Sequence, residues 1–315
     1  MLQALRRHPL PMRTRFGHSL VVTYALPPAI LEPLLPPGLT LDTYTSRDGS
    51  THGFVAVGIV STQGLRPAPL PAALGMDVVL TGYRIFATFP TPAGKTMRGL
   101  YILRSDTHRV VLAAAGNLLT RYRYHLARVG LTVDGDRLTA TVDSRDGGAD
   151  LTVTADLGSR PAPLPAGSPF ARTCGAGPVL PNSLPGTIHP PQKSISKHVI
   201  TRSRCVENGV KSGVQSTVQR SVEGDSVDGD TAGARRFAGP LPYTFDHEAA
   251  TGSIVVVKAH RSAWTPEPVA VRVSRCTFLE RGPFAGTRPV LAQAFHVADL
   301  DYGWHRGVRR TVDPT

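Results

Sequence analysis

The chain has 315 residues, 41% of them hydrophobic, which is enough for a large globular domain with a substantial buried core. Its formal net charge is +12, and most of the basic residues are arginines, since only five lysines occur. The basic residues are spread along the chain instead of forming a stripe or block, so we do not expect a nucleic-acid-binding protein.

The first half of the chain consists of strand patterns separated by proline and glycine. Alternating or apolar segments predict β-strands over residues 15–26, 39–45, 53–60, 78–89 and 99–104. A short helix is expected over 29–35, because prolines precede it and a Pro-Pro-Gly sequence follows it. Residues 109–119 are rich in Ala, Leu and Val at helical spacing and predict an amphipathic helix.

Strand patterns continue towards the carboxy terminus on both sides of one long interruption. Before it, Asp-Gly turns separate the segments of a predicted β-meander over residues 122–129, 137–143 and 150–156. After it, strands are expected over residues 253–258, 269–278 and 290–297. We therefore expect a single β domain that is interrupted in sequence.

The interruption differs from the rest in composition. No aromatic residue occurs between Phe170 and Phe237, and three of the five lysines fall in this stretch. Valine recurs every four residues from Val206 to Val222, but the intervening Gly, Ser, Gln and Thr are poor helix formers. We expect residues 171–233 to be a disordered insertion.

The domain organisation expected from these patterns has two short tails and one interrupted domain. Residues 1–14 are an amino-terminal tail, and residues 308–315 are a carboxy-terminal tail. The domain itself comprises residues 15–170 and 234–307.

Cysteine usage and hydropathy favour a reducing compartment. The three cysteines are odd in number and lack Cys-X-X-Cys spacing, which indicates neither a disulfide framework nor a zinc site. The first residues lack the apolar core of a signal peptide, and no run of 18 apolar residues occurs. We expect a cytoplasmic protein without a membrane span, and a homo-oligomer is left open.

Familiar nucleotide, zinc-protease, serine-hydrolase and EF-hand motifs are missing from the sequence. Nucleotide phosphotransfer and serine hydrolysis are therefore not favoured, and we expect neither a cofactor nor a metal.

Two arginines on neighbouring predicted strands are candidate ligand-binding residues. Arg84 shares a strand face with Phe86 and Thr88, and Arg98 opens the next strand. An arginine among apolar strand residues needs an anion, and its planar guanidinium suits a carboxylate or phosphate. The alternative is a structural ion pair with an aspartate of the protein.

Tyr122 and Tyr124 are further candidates for lining a pocket. On a strand they share one face, and Arg121, Arg123 and His125 share the other. Because the arginines favour solvent, we expect the two tyrosines to point inward and His125 to point outward.

The carboxy-terminal region carries a dense aromatic and basic cluster. His296 lies on a predicted strand, and Trp304 and His305 follow it, with Asp299 and Asp301 between them. We expect His296 and Trp304 to contact a ligand, Trp304 as a lid over the end of the sheet. A metal site of two histidines and one carboxylate is the alternative, although its spacing matches no helical ligand motif.

Several short segments together resemble a known family. The sequence has Tyr83-Arg-Ile-Phe, Arg98-Gly-Leu-Tyr-Ile-Leu and Leu34-Leu-Pro-Pro-Gly-Leu, and near its end Ala294-Phe-His-Val and Tyr302-Gly-Trp-His. In these segments the chain resembles the uncharacterised YqjF-like family, which is similar in fold to acetoacetate decarboxylase. The resemblance covers about residues 15–170 and 235–307.

This resemblance implies a mainly β (α+β) fold, a closed antiparallel β barrel with a few flanking helices and an internal cavity. Acetoacetate decarboxylase uses a lysine that forms a Schiff base with a β-keto acid. Where that enzyme has paired lysines, the segment from Gly116 to His125 ends in Tyr and His. We therefore expect a small acidic organic ligand bound without Schiff-base catalysis. The alternative is a keto-acid decarboxylase or aldolase-dehydratase that uses Lys258, if strand alternation points this residue inward.

Overall fold

The computed structural model describes residues 5–91, 94–159, 161–171, 229–239 and 241–312. These residues belong to one compact unit, formed by Met1–Arg172 with Val227–Thr315. A second unit, Thr173–Ser226, lies outside the described residues, and so does most of the expected insertion over 171–233. Of that insertion, residues 231–233 form the first turn of a helix.

The described chain is mainly β-strand, as the sequence predicts. The strands are β1 (Met12–Leu26), β2 (Thr40–Leu41), β3 (Tyr44–Thr45), β4 (Thr51–Pro67), β5 (Met76–Pro90), β6 (Thr96–Thr107), β7 (Tyr124–Asp134), β8 (Arg137–Ser144), β9 (Leu151–Asp156), β10 (Tyr243–Glu248), β11 (Ser253–Arg261), β12 (Glu267–Pro268), β13 (Ala270–Cys276), β14 (Val290–Trp304) and β15 (Val308–Thr311).

Helices are few and short. The α-helices are α1 (Pro28–Leu31), α2 (Val110–Leu119) and α3 (Thr231–Arg236), and 3-10 turns occupy Glu32–Leu34, Ala72–Leu74, Thr277–Glu280 and Gly282–Phe284. Helix α2 is the one expected over 109–119. The helix expected over 29–35 is α1 continued by a 3-10 turn, because Pro33 lacks the N–H that a longer α-helix requires.

Strand pairing arranges seven strands in a ring, which we call the strand ring. Its hydrogen-bonded order is β6, β10, β11, β14, β1, β4 and β5, and β5 pairs again with β6. From β6 the sheet continues outward through β7, β8, β9 and β13. Most pairs are antiparallel, but β6 is parallel to both β7 and β10. The β6–β7 pair is parallel because helix α2 forms the crossover between the two strands.

Two of the four buried hydrophobic clusters of the described chain connect segments that are distant in sequence. One is formed where β1, β4 and β5 pack on the β7–β9 meander, and it includes Val57, Ile85 and Leu138. The other is aromatic and includes Phe170 and Phe237, whose ring centroids are 6.1 Å apart. Because these two residues lie on either side of residues 172–228, the segments before and after that stretch share one core.

Ordered structure extends beyond both ends of the expected domain. His8 is buried, its N–H donates to the carbonyl of Leu119 at 2.9 Å, and its ring contacts Asp246. Strand β15 pairs with β11 in the stretch that the sequence suggested was a tail. Short end segments are difficult to assign from sequence because their partners lie more than 50 residues away.

Candidate ligand-binding cavity

A small cavity of about 80 Å³ lies inside the strand ring. Six of the seven ring strands contribute to its wall, and so does the chain around the start of β7. The wall consists of Phe16, Ser19, Val60, Leu80, Thr81, Arg84, Leu100, Ile102, Ser105, Tyr122, Tyr124, Leu241, Thr244, Tyr302 and Trp304. Arg84 is the residue in this wall that carries a full charge at neutral pH.

The position of Arg84 depends on a bulge and on two glycines. The pairing of β5 with β6 shifts register between Tyr83 and Arg84, and bulges of this kind reorient side chains. Gly58 and Gly82 pair directly across β4 and β5 beneath the guanidinium. A Cβ atom on Gly58 would lie 3.2 Å from Arg84 Nη1, and one on Gly82 would lie 3.0 Å from Nε. The missing side chains therefore make the space that the guanidinium fills.

Arg84 has no acidic partner among the described residues. Its Nε is buried and has no hydrogen-bond acceptor there, and the described ion pairs involve other arginines. Burial lowers the pKa of Arg84, and the hydroxyl groups of the surrounding tyrosines partly offset this effect. An arginine nevertheless stays protonated in a protein. The cavity therefore contains a positive charge that the described residues do not neutralise.

Arg104, on the neighbouring strand β6, differs from Arg84 because it is paired with two carboxylates. Its guanidinium binds Asp106 at 2.8 Å and Asp146 at 2.7 Å. The hydrogen bond from Arg104 holds the pKa of Asp146 well below its usual range. Arg104 is thus a structural arginine.

Three tyrosines surround Arg84. Tyr122, Tyr124 and Tyr302 all line the cavity, and burial raises the pKa of each. Their hydroxyl groups are therefore neutral at pH 7 and can donate hydrogen bonds. Tyr122 also shares a hydrogen bond of 2.7 Å with Thr244.

Tyr122 and Tyr124 reach the cavity for a reason that strand alternation does not provide. Strand β7 begins only at Tyr124, and Arg123 before it has a positive φ of 53°. Asn117 fixes the next residue, because its side chain donates to the Tyr124 carbonyl and accepts from the Tyr124 N–H, both at 2.8 Å. This turn lets both tyrosines face inward, while His125 is exposed.

A second, mostly apolar pocket of about 130 Å³ adjoins the cavity. The two spaces share Leu80, Tyr122, Tyr124 and Trp304. The rest of the second pocket is formed by His8, Pro9, Leu10, Met12, Leu65, Leu112, Ala115, Gly116, Leu119, Thr120 and His305. Trp304 thus lies in the wall that the two spaces share.

Arg98 and His296 lie away from the cavity wall. Arg98 Nε donates to Asp42 at 2.6 Å, and its guanidinium lies over the ring of Phe237. This is the structural ion pair that the sequence left as an alternative. His296 is buried with its Nε2 3.1 Å from Nδ1 of His18. Neither side chain lines the cavity, so the structure does not bring these two predicted residues together with the others, Arg84, Tyr122, Tyr124 and Trp304.

The described lysines are also outside the cavity. Lys258 is exposed on β11, and Lys95 is exposed in the turn before β6. Lys258 is the first exposed residue of β11, after five consecutive buried residues. The inward orientation considered for Lys258 is therefore incorrect. The other three lysines lie outside the described residues.

Several wall residues could not be recognised from the sequence. Ser19, Ser105 and Thr244 are ordinary strand residues in sequence. Gly58 and Gly82 carried a usable signal, since glycine inside a strand often marks a close approach of another group.

The described segments contain neither a metal-binding cluster nor a membrane-spanning helix. Within them, no three His, Cys, Asp or Glu side chains are grouped closely enough to hold a metal ion, so His296, His305 and the nearby aspartates form no such cluster. None of the helices described is both long and apolar enough to cross a lipid bilayer.

The fold is that of the acetoacetate decarboxylase-like proteins. The chain is similar to acetoacetate decarboxylase from Legionella pneumophila subsp. pneumophila str. Philadelphia 1, with 11% identity, a TM-score of 0.52, and coverage of 96% of this chain and 88% of that chain. It is similar to an acetoacetate decarboxylase-like enzyme from Sphingomonas wittichii RW1, with 12% identity, a TM-score of 0.50, and coverage of 97% and 94%.

A third similar structure is the enduracididine biosynthesis enzyme MppR, complexed with the condensation product of pyruvate and imidazole 4-carboxaldehyde. Its identity is 11%, its TM-score is 0.51, and the match covers 97% of this chain and 91% of that one. At these identities the similarity concerns the fold alone.

Within that fold, the sequence defines a particular family. The model of DUF2071, described as an uncharacterized conserved protein (COG2071), matches residues 13–172, and the chain belongs to this family. No curated protein sequence matches the chain. The resemblance to an uncharacterised family with an acetoacetate decarboxylase-like fold is confirmed.

Proposed function

We propose that this protein binds a small carboxylic acid in the cavity inside the strand ring, with Arg84 as the carboxylate receptor. In this proposal the ring is the wall of a closed β barrel. The observation that carries the proposal is the buried guanidinium of Arg84, which faces the cavity without an acidic partner among the described residues. A buried charge is costly unless it is paired, and a ligand carboxylate would supply the missing partner.

The arrangement around Arg84 suits a carboxylate. The guanidinium can donate two parallel hydrogen bonds to one carboxylate, and neutral Tyr122, Tyr124 and Tyr302 can donate others. Hydrogen bonds to charged groups contribute roughly 1.5–3 kcal/mol each, or about 10- to 100-fold in affinity. Phosphate would fit the charge, but the apolar wall residues Phe16, Leu100 and Ile102 favour an organic acid.

We further propose that binding proceeds without an imine. Neither Lys95 nor Lys258 lines the cavity, and both are exposed. An exposed ammonium is not desolvated, so burial does not favour its conversion to the nucleophilic amine. The geometry does not support a lyase that works through Lys258. The similarity to enzymes of this fold does not support one either, because at 11–12% identity it concerns the fold alone.

The carboxylate site is tested by calorimetry with acetoacetate and pyruvate on the wild-type protein and on Arg84→Met. We expect binding to wild type and a loss of at least tenfold in Arg84→Met. Arg128→Met is the matched control, because Arg128 is 92% exposed and lies outside the cavity wall. Equal binding by wild type and Arg84→Met would refute the role of Arg84.

Imine formation is tested separately by borohydride reduction in the presence of the same two acids, followed by mass spectrometry. We expect no mass increase on any lysine-containing peptide. A reduced adduct on a lysine would overturn the mechanism without an imine and would leave the carboxylate site standing. Location in the cytoplasm and assembly into a homo-oligomer are further parts of this proposal, and the first rests on the cysteine pattern.

A further inference from the structure

We infer that the acid bound at Arg84 carries an apolar tail, aliphatic or aryl, and that this tail occupies the pocket adjoining the cavity. The inference rests on the proposed function and extends it from a carboxylate to an amphipathic acid. It follows from the placement of the two spaces, one charged and one apolar, against the same side chains.

The adjoining pocket is built from apolar surface. Helix α2 contributes Leu112, Ala115 and Leu119, and the segment before β1 contributes Pro9 and Leu10. Contact with such surface favours apolar groups by about 25 cal/mol per Å² that is removed from water. The pocket therefore selects the chemistry of the tail.

Charged groups are scarce in this pocket. Its wall contains no Asp, Glu, Lys or Arg; its two imidazole-bearing residues are His8 and His305. His8 is already engaged with Asp246 at 3.1 Å, and His305 is exposed at the outer edge. A phosphate-bearing or dianionic tail would find no cation there, which leaves an uncharged tail.

The shared wall sets the direction of the ligand. Tyr122, Tyr124 and Trp304 contact both spaces, and Tyr122 and Tyr124 interact electrostatically with Arg84. A carboxylate at Arg84 and a tail in the apolar pocket would thus contact the same aromatic layer. Gly116 holds that layer against helix α2, because a side chain at this position would collide with the Tyr124 ring. Leu10, 42% exposed, lies where the pocket opens to solvent.

The test is calorimetry with straight-chain acids from acetate to octanoate and with the matching 1-alcohols. Burying one methylene contributes about 0.8 kcal/mol, so we expect affinity to rise roughly fourfold per added carbon until the pocket is filled. Ala115→Phe should fill the pocket and remove this chain-length dependence. Leu118→Phe is the control, because Leu118 is on the same helix but exposed and outside the pocket wall.

The outcomes separate the two proposals. Chain-length dependence that Ala115→Phe removes and Leu118→Phe keeps supports the apolar tail. Acids that bind equally at every length, or a dependence that Ala115→Phe leaves unchanged, overturn the tail and leave the carboxylate site intact. Alcohols that bind as tightly as the acids, or acids that do not bind at any length, overturn the proposed function and this inference with it.

Discussion

Replacing Arg84 with methionine should stabilise the unliganded protein. The guanidinium is enclosed, its Nε has no acceptor in the described chain, and burial lowers its pKa. Removing a charge from such a site often stabilises a protein by about 1–3 kcal/mol, and methionine keeps most of the packing volume. For a protein of this size, each kcal/mol raises Tm by roughly 2–4 °C. We expect a gain of about 2–12 °C.

The measurement is urea and thermal unfolding in buffers without acetate, citrate or other small carboxylates. Such acids would bind Arg84 and stabilise the wild type by mass action. Arg104→Met is the matched control, because the same substitution there removes the partner of Asp106, which is fully buried at 0% exposure. Breaking that pair should cost about 3–5 kcal/mol.

Arg84→Met and Arg104→Met should thus change the free energy of unfolding in opposite directions. If Arg84→Met lowers stability by more than about 1 kcal/mol while Arg104→Met behaves as expected, then the charge of Arg84 is already neutralised in the protein. The reasoning that assigns the cavity to a ligand carboxylate would then be refuted.

Three further predictions concern single positions. Gly82→Ala should displace the Arg84 guanidinium and weaken acid binding at least tenfold by calorimetry, whereas Gly130→Ala, beside only a rotatable threonine hydroxyl, should not. Hydrogen bonds from Ser144 lower the pKa of Asp150, so its ionised form stabilises the fold above the unfolded pKa of about 3.9, and this contribution is lost as pH falls through the folded pKa. Asp150→Asn should therefore cost about 1–2 kcal/mol in urea unfolding at pH 7 and progressively less below pH 4; a constant difference would contradict this. Burial raises the pKa of the Cys276 thiol to about 11, so iodoacetamide at pH 8 should leave Cys276 unmodified until the protein is unfolded, as read by peptide mass spectrometry.

The sequence was informative about strands and about one side of the site. Alternation around Arg84 correctly separated it from Tyr83, which packs in the core between the strand ring and the β7–β9 meander and donates its hydroxyl hydrogen to the Ala149 carbonyl. The same reasoning could not distinguish Arg84 from Arg98, because the partner of Arg98 is Asp42, 56 residues away along the chain.

For the other site residues, local backbone conformation and long-range contacts limited what the sequence could predict. Tyr122 and Tyr124 were expected inside because they share a strand face, but they reach the cavity through the turn at Arg123. His296 was expected to contact a ligand. Its Nε2 instead lies 3.1 Å from Nδ1 of His18, on the paired strand β1. A side chain's destination depends on such long-range neighbours, which periodicity does not encode.

The described segments that end at Ala171 and begin at Gly229 are joined by a hydrogen bond of 2.7 Å from the Asp230 N–H to the Phe170 carbonyl. Such a junction is a natural grafting point, because the entropy of closing a loop grows by only about 0.6 kcal/mol for each doubling of its length. Segments of very different length and origin could be exchanged at this place by evolution or by design, without rebuilding the scaffold that holds Arg84.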